Sequence, residues 1–118
     1  MGNPVTHFEI SGKDAKKLQD FYSSVFDWHV DANNPMNYGI VDTHSDGRGI
    51  GGDISPAQGP NHVTFYVEVS DPQAYLDRIE KAGGKTVMPV TAIPDSVTFA
   101  LFADPEGNVV GILKEGQG

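Results

Sequence analysis

Residues 5–10 alternate between apolar and polar positions, with Phe8 and Ile10 on one face and His7 and Glu9 on the other. That is the pattern of a half-buried strand. The period then changes. Leu18, Phe21, Tyr22, Val25 and Phe26 recur at intervals of three and four, which predicts a helix with one apolar stripe. Asp14 stands where a side chain can accept from the first free N–H groups of that helix. Asp27 stands where the helix must stop, and aspartate tolerates the left-handed backbone of a C-terminal cap, though less readily than glycine. Three short strands are expected next, over 28–30, 38–42 and 49–54, separated by turns rich in Asn, Pro, Asp and Gly.

The second half repeats the first. Shifted by 57, residues 7–30 lie on 64–87 without a gap, so that His7 falls on Thr64 and Asp14 on Asp71. A strand is expected over 64–69, then a helix opened by Ser70-Asp71-Pro72, with proline at the first helical position. Its buried stripe is Tyr75, Leu76, Ile79 and Ala82, and Gly83-Gly84 ends it. Strands over 85–88, 97–102 and 109–114 complete the unit, the last two joined by the turn Asp104-Pro105-Glu106-Gly107-Asn108. The fold class is therefore α+β: two tandem βαβββ modules, about 4–55 and 61–114, within a single domain spanning 1–118. Mixed, mostly antiparallel sheets would curve around a shared cleft, with the helices on the outer faces.

Composition narrows what such a fold can do. The chain has 118 residues, enough to bury roughly two-thirds of its unfolded surface. Its 8 basic and 16 acidic residues give a net charge of −8, which disfavours nucleic acid and an anionic membrane surface as partners. No apolar run approaches a membrane span. No charged-then-apolar leader is present, so a cytoplasmic location is expected. There is no cysteine, which excludes disulfides, thiolate catalysis and Cys-ligated metal.

If Phe8, Ile10, Phe65, Val67 and Val69 face the helices, then His7, Glu9, Thr64, Tyr66 and Glu68 face the cleft, where a small-molecule site is expected. His7 is read as a partly buried histidine bonded to Glu9 or Glu68, with acid/base and metal-ligand roles as alternatives. Glu9 and Glu68 are either solvated strand residues or carboxylates that attract a cation. Trp28, Tyr38 and Tyr66 are either packing or stacking platforms for a planar ligand. Gly49, Gly51 and Gly52 have the wrong context for a phosphate loop and are read as a place where backbones come close. Ser23-Ser24 has no partner for nucleophilic hydrolysis.

Several of these segments form one pattern: His7-Phe8-Glu9-Ile10, Phe21-Tyr22 with Val25-Phe26 and Trp28, and Gly49-Ile50-Gly51-Gly52. With Val63-Thr64-Phe65-Tyr66-Val67, Ala82-Gly83-Gly84 and Asp104-Pro105-Glu106-Gly107-Asn108-Val109-Val110-Gly111, the chain resembles the vicinal oxygen chelate superfamily over residues 4–114. That superfamily includes glyoxalases, extradiol dioxygenases and bleomycin- and fosfomycin-resistance proteins. The resemblance implies paired βαβββ modules and a homodimer, and it allows enzymes and passive binders alike.

In metal-dependent relatives the ligands come from the first and last strand of each module. His7 matches the first position. The second falls on Thr64, a poor ligand, with His62 two residues too early. The late position of the second module is Gly111, and that of the first is Gly52 or Asp53. At most His7 and Asp53 survive, fewer than a divalent ion requires. The expected function is thus small-molecule binding by a protein of the glyoxalase/bleomycin-resistance type with a degraded metal site and no resident cofactor, possible ligands being toxic or antibiotic-like compounds. The competing expectation is a glyoxalase-like, metal-dependent lyase or isomerase, or a dioxygenase-related enzyme. The ligand-binding set is His7, Glu9, Trp28, Tyr38, Asp53, Thr64, Tyr66 and Glu68.

Overall fold

A computed structural model describes residues 2–44 and 46–116. The elements run β1 (Val5–Gly12), α1 (Ala15–Phe26), β2 (His29–Asp31), β3 (Gly39–Asp42), β4 (Gly51–Pro56), β5 (His62–Val69), α2 (Pro72–Lys81), β6 (Lys85–Ala92), β7 (Thr98–Ala103) and β8 (Val109–Lys114). The fold is α+β, with mixed, mostly antiparallel strand pairing, as the alternation predicts. The chain forms two compact units, Thr6–Thr64 and Phe65–Gly118, the latter joined by the segment through Val5. That segment is bonded within the second unit: Glu68 donates its N–H to the Pro4 carbonyl, and the Asn3 side chain donates to the Glu68 carbonyl.

The two units repeat one topology. In the first, strands lie in the order β2-β3-β4-β1, with β1 parallel to β4 and the other neighbours antiparallel. In the second the order is β6-β7-β8-β5, with β5 parallel to β8. The offset of 57 holds for the first strand and the helix of each unit, and becomes 58 at the last strand.

Capping fixes both helices where the sequence places them. Asp14 accepts from Lys17 N–H, and Asp27 ends α1 in the left-handed region at φ 58°. Asp71 accepts from the N–H groups of Gln73 and Ala74, and Pro72 opens α2. Leu76 of α2 packs on Val69, Ala100 and Ile112, which are at most 2% exposed, whereas Ala82 caps the helix and stays exposed.

The stripe of α1 is narrower than its periodicity suggests. Leu18 and Tyr22 pack on the Ile10, Val41 and Ile54 core, while Phe21, Val25 and Phe26 remain more than half exposed. Buried Gln19 sits on the sheet side instead, donating to the Ile54 carbonyl at 2.8 Å and the Asn37 carbonyl at 3.2 Å. A side-chain amide that closes two backbone acceptors pins the helix to the sheet with direction, which an apolar contact does not.

Strand β6 also extends past its expected end. Pro89 falls within the register shift between Met88 and Thr91, on the outermost strand of its unit, where a missing N–H costs no ladder bond. The β7–β8 turn is held by Asp104, whose carboxylate accepts from the side chain and backbone of Asn108 and from Glu106 N–H. Those bonds, the Asn108 side chain foremost, hold its pKa below the ordinary 3.8. A group with a depressed folded pKa stabilises the fold above its unfolded value and loses that contribution as pH falls through the folded one. Carboxyl-detected NMR titration is expected to show Asp104 titrating low in the wild type, and returning toward 3.8 in Asn108→Ala.

Candidate functional site

The polar face of the first unit lies opposite α1 and is assembled by strand alternation. On β1, Phe8 and Ile10 enter the helix-side core, so His7 and Glu9 point the other way. In the parallel pairing with β4, Glu9 is the partner of Asp53 and Phe8 of Gly52. Gly52 therefore lies on the core face, where an added Cβ would strike the Phe8 ring and carbonyl. Asp53 lies on the polar face, 1% exposed. The same register in the second unit pairs Tyr66 with Gly111, which makes Asp53, not Gly52, the counterpart of Gly111.

Two files of hydrogen bonds occupy this face. In one, His7 Nε2 meets Asp53 Oδ2 at 2.7 Å and Ser55 donates to Asp53 Oδ1 at 2.9 Å. His7 thus finds a carboxylate one strand away, in Asp53. Pairing across the parallel strands brings a carboxylate against the imidazole that adjacency in sequence does not.

In the other file, the Tyr38 hydroxyl donates to Glu9 Oε2 at 3.4 Å, Glu9 Oε1 meets His62 Nε2 at 3.1 Å, and Ser11 Oγ meets His62 Nδ1 at 2.8 Å. Tyr38 is aimed by the preceding turn, where Asn34 exchanges two bonds with the Tyr38 backbone at 2.7 and 2.9 Å. Its phenol pKa is pushed far above the ordinary 10, first by burial of the hydroxyl and then by the Asp53 and Glu9 charges, with a bond from Ser55 acting the other way. Tyr38 therefore stays a donor at any physiological pH.

His62, Ser11 and Ser55 were not anticipated as site residues. The signal for His62 was present: it opens β5, where alternation puts it on the same face as Thr64.

The other expected residues separate. Trp28 lies on the helix side, stacked on Tyr22 at 5.4 Å and 9° and also against Phe8, so the structure makes it core packing and removes it from the ligand set. Thr64 is buried at 7% exposure. In the second unit, Tyr66 is 6% exposed, edge-on to Phe99 at 6.4 Å, and its ring covers Gly111 so closely that any Cβ there would enter it. Glu68 is half-buried, and its backbone holds Asn3 and Pro4.

Among the described residues, no three His, Asp or Glu side chains gather closely enough to hold a metal ion. The one His–Asp pair at the expected positions is bonded to itself, with Nε2 of His7 turned into Asp53 and the second Asp53 oxygen taken by Ser55. These are two donors, where a divalent ion takes three or more protein ligands. No helix among the described residues is long and apolar enough to cross a membrane.

Comparison with known proteins places these units in a family. The chain is 30% identical over 118 residues to a glyoxylase-like domain-containing protein of Didymella fabae, covering 92% of this chain and 91% of the relative. It is 26% identical over 128 residues to the anthracycline biosynthesis protein DnrV of Streptomyces peucetius, covering 92% of this chain but only 46% of the relative. The fold matches a superfamily member from Vibrio splendidus with a TM-score of 0.66 at 16% identity, covering 97% of this chain and all of that one. The family model of the Glyoxalase/Bleomycin resistance protein/Dioxygenase superfamily matches residues 5–112, and the chain belongs to that superfamily.

Proposed function

We propose that this protein binds a small molecule on the polar face of its first unit without a resident metal, holding a cationic group against Glu9 with an apolar body beside it. The observation that carries this reading is the pairing of two inward carboxylates, Glu9 and Asp53 (side chains 12% and 2% exposed), with Tyr38, His7 and His62. Carboxylates in such surroundings attract a cation more strongly than they would in water. Ile40, the register partner of Asp53, is 54% exposed, and Tyr38 is 37% exposed, so an apolar shelf adjoins the charge. Sequestration of a toxic or antibiotic-like compound is the role that suits such a site, and similarity to a relative named for anthracycline biosynthesis supports a natural-product ligand.

Calorimetric titration against cationic natural products and their neutral analogues tests the proposal. Binding in the micromolar range is expected for at least one cationic compound, weakened about tenfold, or ~1.4 kcal/mol, in Glu9→Gln and unchanged for the neutral analogue. Binding no tighter than about millimolar across the panel removes it. A metal-dependent lyase or isomerase is the second reading, favoured by the meeting of His7 and Asp53 at two of the expected ligand positions. It requires a stoichiometric divalent ion in purified protein that is lost in His7→Ala. Metal far below one ion per chain dismisses that reading.

A further inference from the structure

Ser11, His62 and Glu9 form a hydroxyl–imidazole–carboxylate array within the first unit. Ser11 Oγ lies 2.8 Å from His62 Nδ1 and 3.3 Å from Nε2, so it faces the edge of the ring, nearer Nδ1. Nε2 meets Glu9 Oε1 at 3.1 Å, and Glu9 Oε2 accepts from the Tyr38 hydroxyl at 3.4 Å. An ionised carboxylate only accepts, so the imidazole proton belongs on Nε2, and Nδ1 presents its lone pair to the Ser11 O–H. A hydroxyl becomes a nucleophile in this way, with a base beside it and a third group that orients the base. The two ring nitrogens exchange the places they take in a Ser-His-Asp triad. A fourth group adjoins the array. The Asn61 carboxamide carbon lies 3.7 Å from the place of a Cβ on Gly12, the residue after Ser11. Its oxygen accepts from Lys13 N–H at 3.2 Å, which leaves the amide nitrogen as a donor. Ser11 is 6% exposed, whereas the His62 side chain is 45% exposed.

The geometry points to a second activity on this face: transfer of a short acyl group from an activated ester to Ser11, and from Ser11 to water. Ser11 Oγ forms a bond to the carbonyl carbon while its proton passes to His62 Nδ1. The carbonyl electron pair moves onto oxygen, toward which the Asn61 amide donates. When the carbonyl re-forms, the ester C–O bond breaks and the leaving oxygen takes the proton from His62. Water then gives a proton to His62, adds to the acyl carbon and expels Ser11 Oγ, which takes that proton back. Glu9 touches no reacting atom. It is a positioning residue, which keeps the ring proton on Nε2 and balances the charge of the imidazolium. The small opening at Ser11 favours acetyl-sized groups over long chains. This activity goes beyond the binding of a cation and takes an uncharged ester, so either reading can fail without the other.

Hydrolysis of p-nitrophenyl acetate by the full chain, with mass spectrometry of the acid-quenched protein, tests this assignment. Nitrophenolate release above the buffer rate and an acetyl group on Ser11 are expected, with the octanoate ester turned over at least about tenfold more slowly. Ser11→Ala and His62→Ala lower the rate at least about hundredfold, whereas Ser24→Ala, on α1, leaves it unchanged. Glu9→Gln keeps the side chain's shape and lowers kcat about tenfold with KM unchanged, a split that a merely structural role does not produce. If Ser11→Ala does not fold, the position of the acetyl group in the wild type decides. Acetyl groups on lysines alone, a rate indifferent to Ser11→Ala, or no release above the buffer rate overturns the assignment.

Discussion

Replacing Asp53 with alanine is expected to lower the free energy of unfolding by about 3 kcal/mol, read as a shift in urea midpoint at unchanged slope. The carboxylate is 1% exposed and serves as acceptor to both His7 Nε2 and the Ser55 hydroxyl. Its removal leaves Ser55, 2% exposed, without that acceptor, and opens a small void on the sheet face. Loss of one partner of a buried polar set costs about 1–3 kcal/mol per stranded group. His7 moderates the total, since its side chain is 29% exposed and water replaces part of the lost bond. Asp53→Asn retains the shape and one acceptor, so it is expected to cost less than half as much. A midpoint unchanged in Asp53→Ala would show that the file is ornamental to stability. The same variant tests the site, because Asp53 contributes to the negative potential that holds Tyr38 as a donor.

Gly111→Ala is expected to cost about 2 kcal/mol, the reverse of what strand propensity alone predicts. The new methyl group enters the ring of Tyr66, which is buried and already edge-on to Phe99. Close-packed interiors accommodate such an intrusion only by moving the ring off its rotamer or shifting the strand. The measurement that isolates this cause is a double-mutant cycle. In a Tyr66→Ala background the Gly111→Ala step should fall below about 0.5 kcal/mol, giving a coupling of at least about 1 kcal/mol. Additive costs would mean that the ring and the glycine do not meet. The pair also shows how the second unit has no room for a late-strand side chain, since the aromatic ring stands where it would go.

Local rules made most of the framework legible. Alternation in 5–10, the Asp14 and Asp71 caps, the left-handed Asp27 and the proline at the first position of α2 each act within a few residues. They were therefore readable without knowing what packs where. That His7 and Glu9 share the face opposite Phe8 and Ile10 was legible for the same reason. Trp28 was not, because the alternatives of core packing and ligand platform differ only in which face of the sheet its ring meets, and that is set by Phe8 and Tyr22.

By itself, then, the amino-acid order determined the repeated βαβββ pattern, the helix ends and which residues alternate to a polar face, because periodicity and capping are short-range. Only the tertiary structure decided that Asp53 meets His7, that His62 and Ser11 join Glu9, and that Tyr66 fills the space over Gly111. Each of these depends on the register of paired strands. A shift of one residue there turns every side chain to the opposite face, and no local signal in the sequence fixes it.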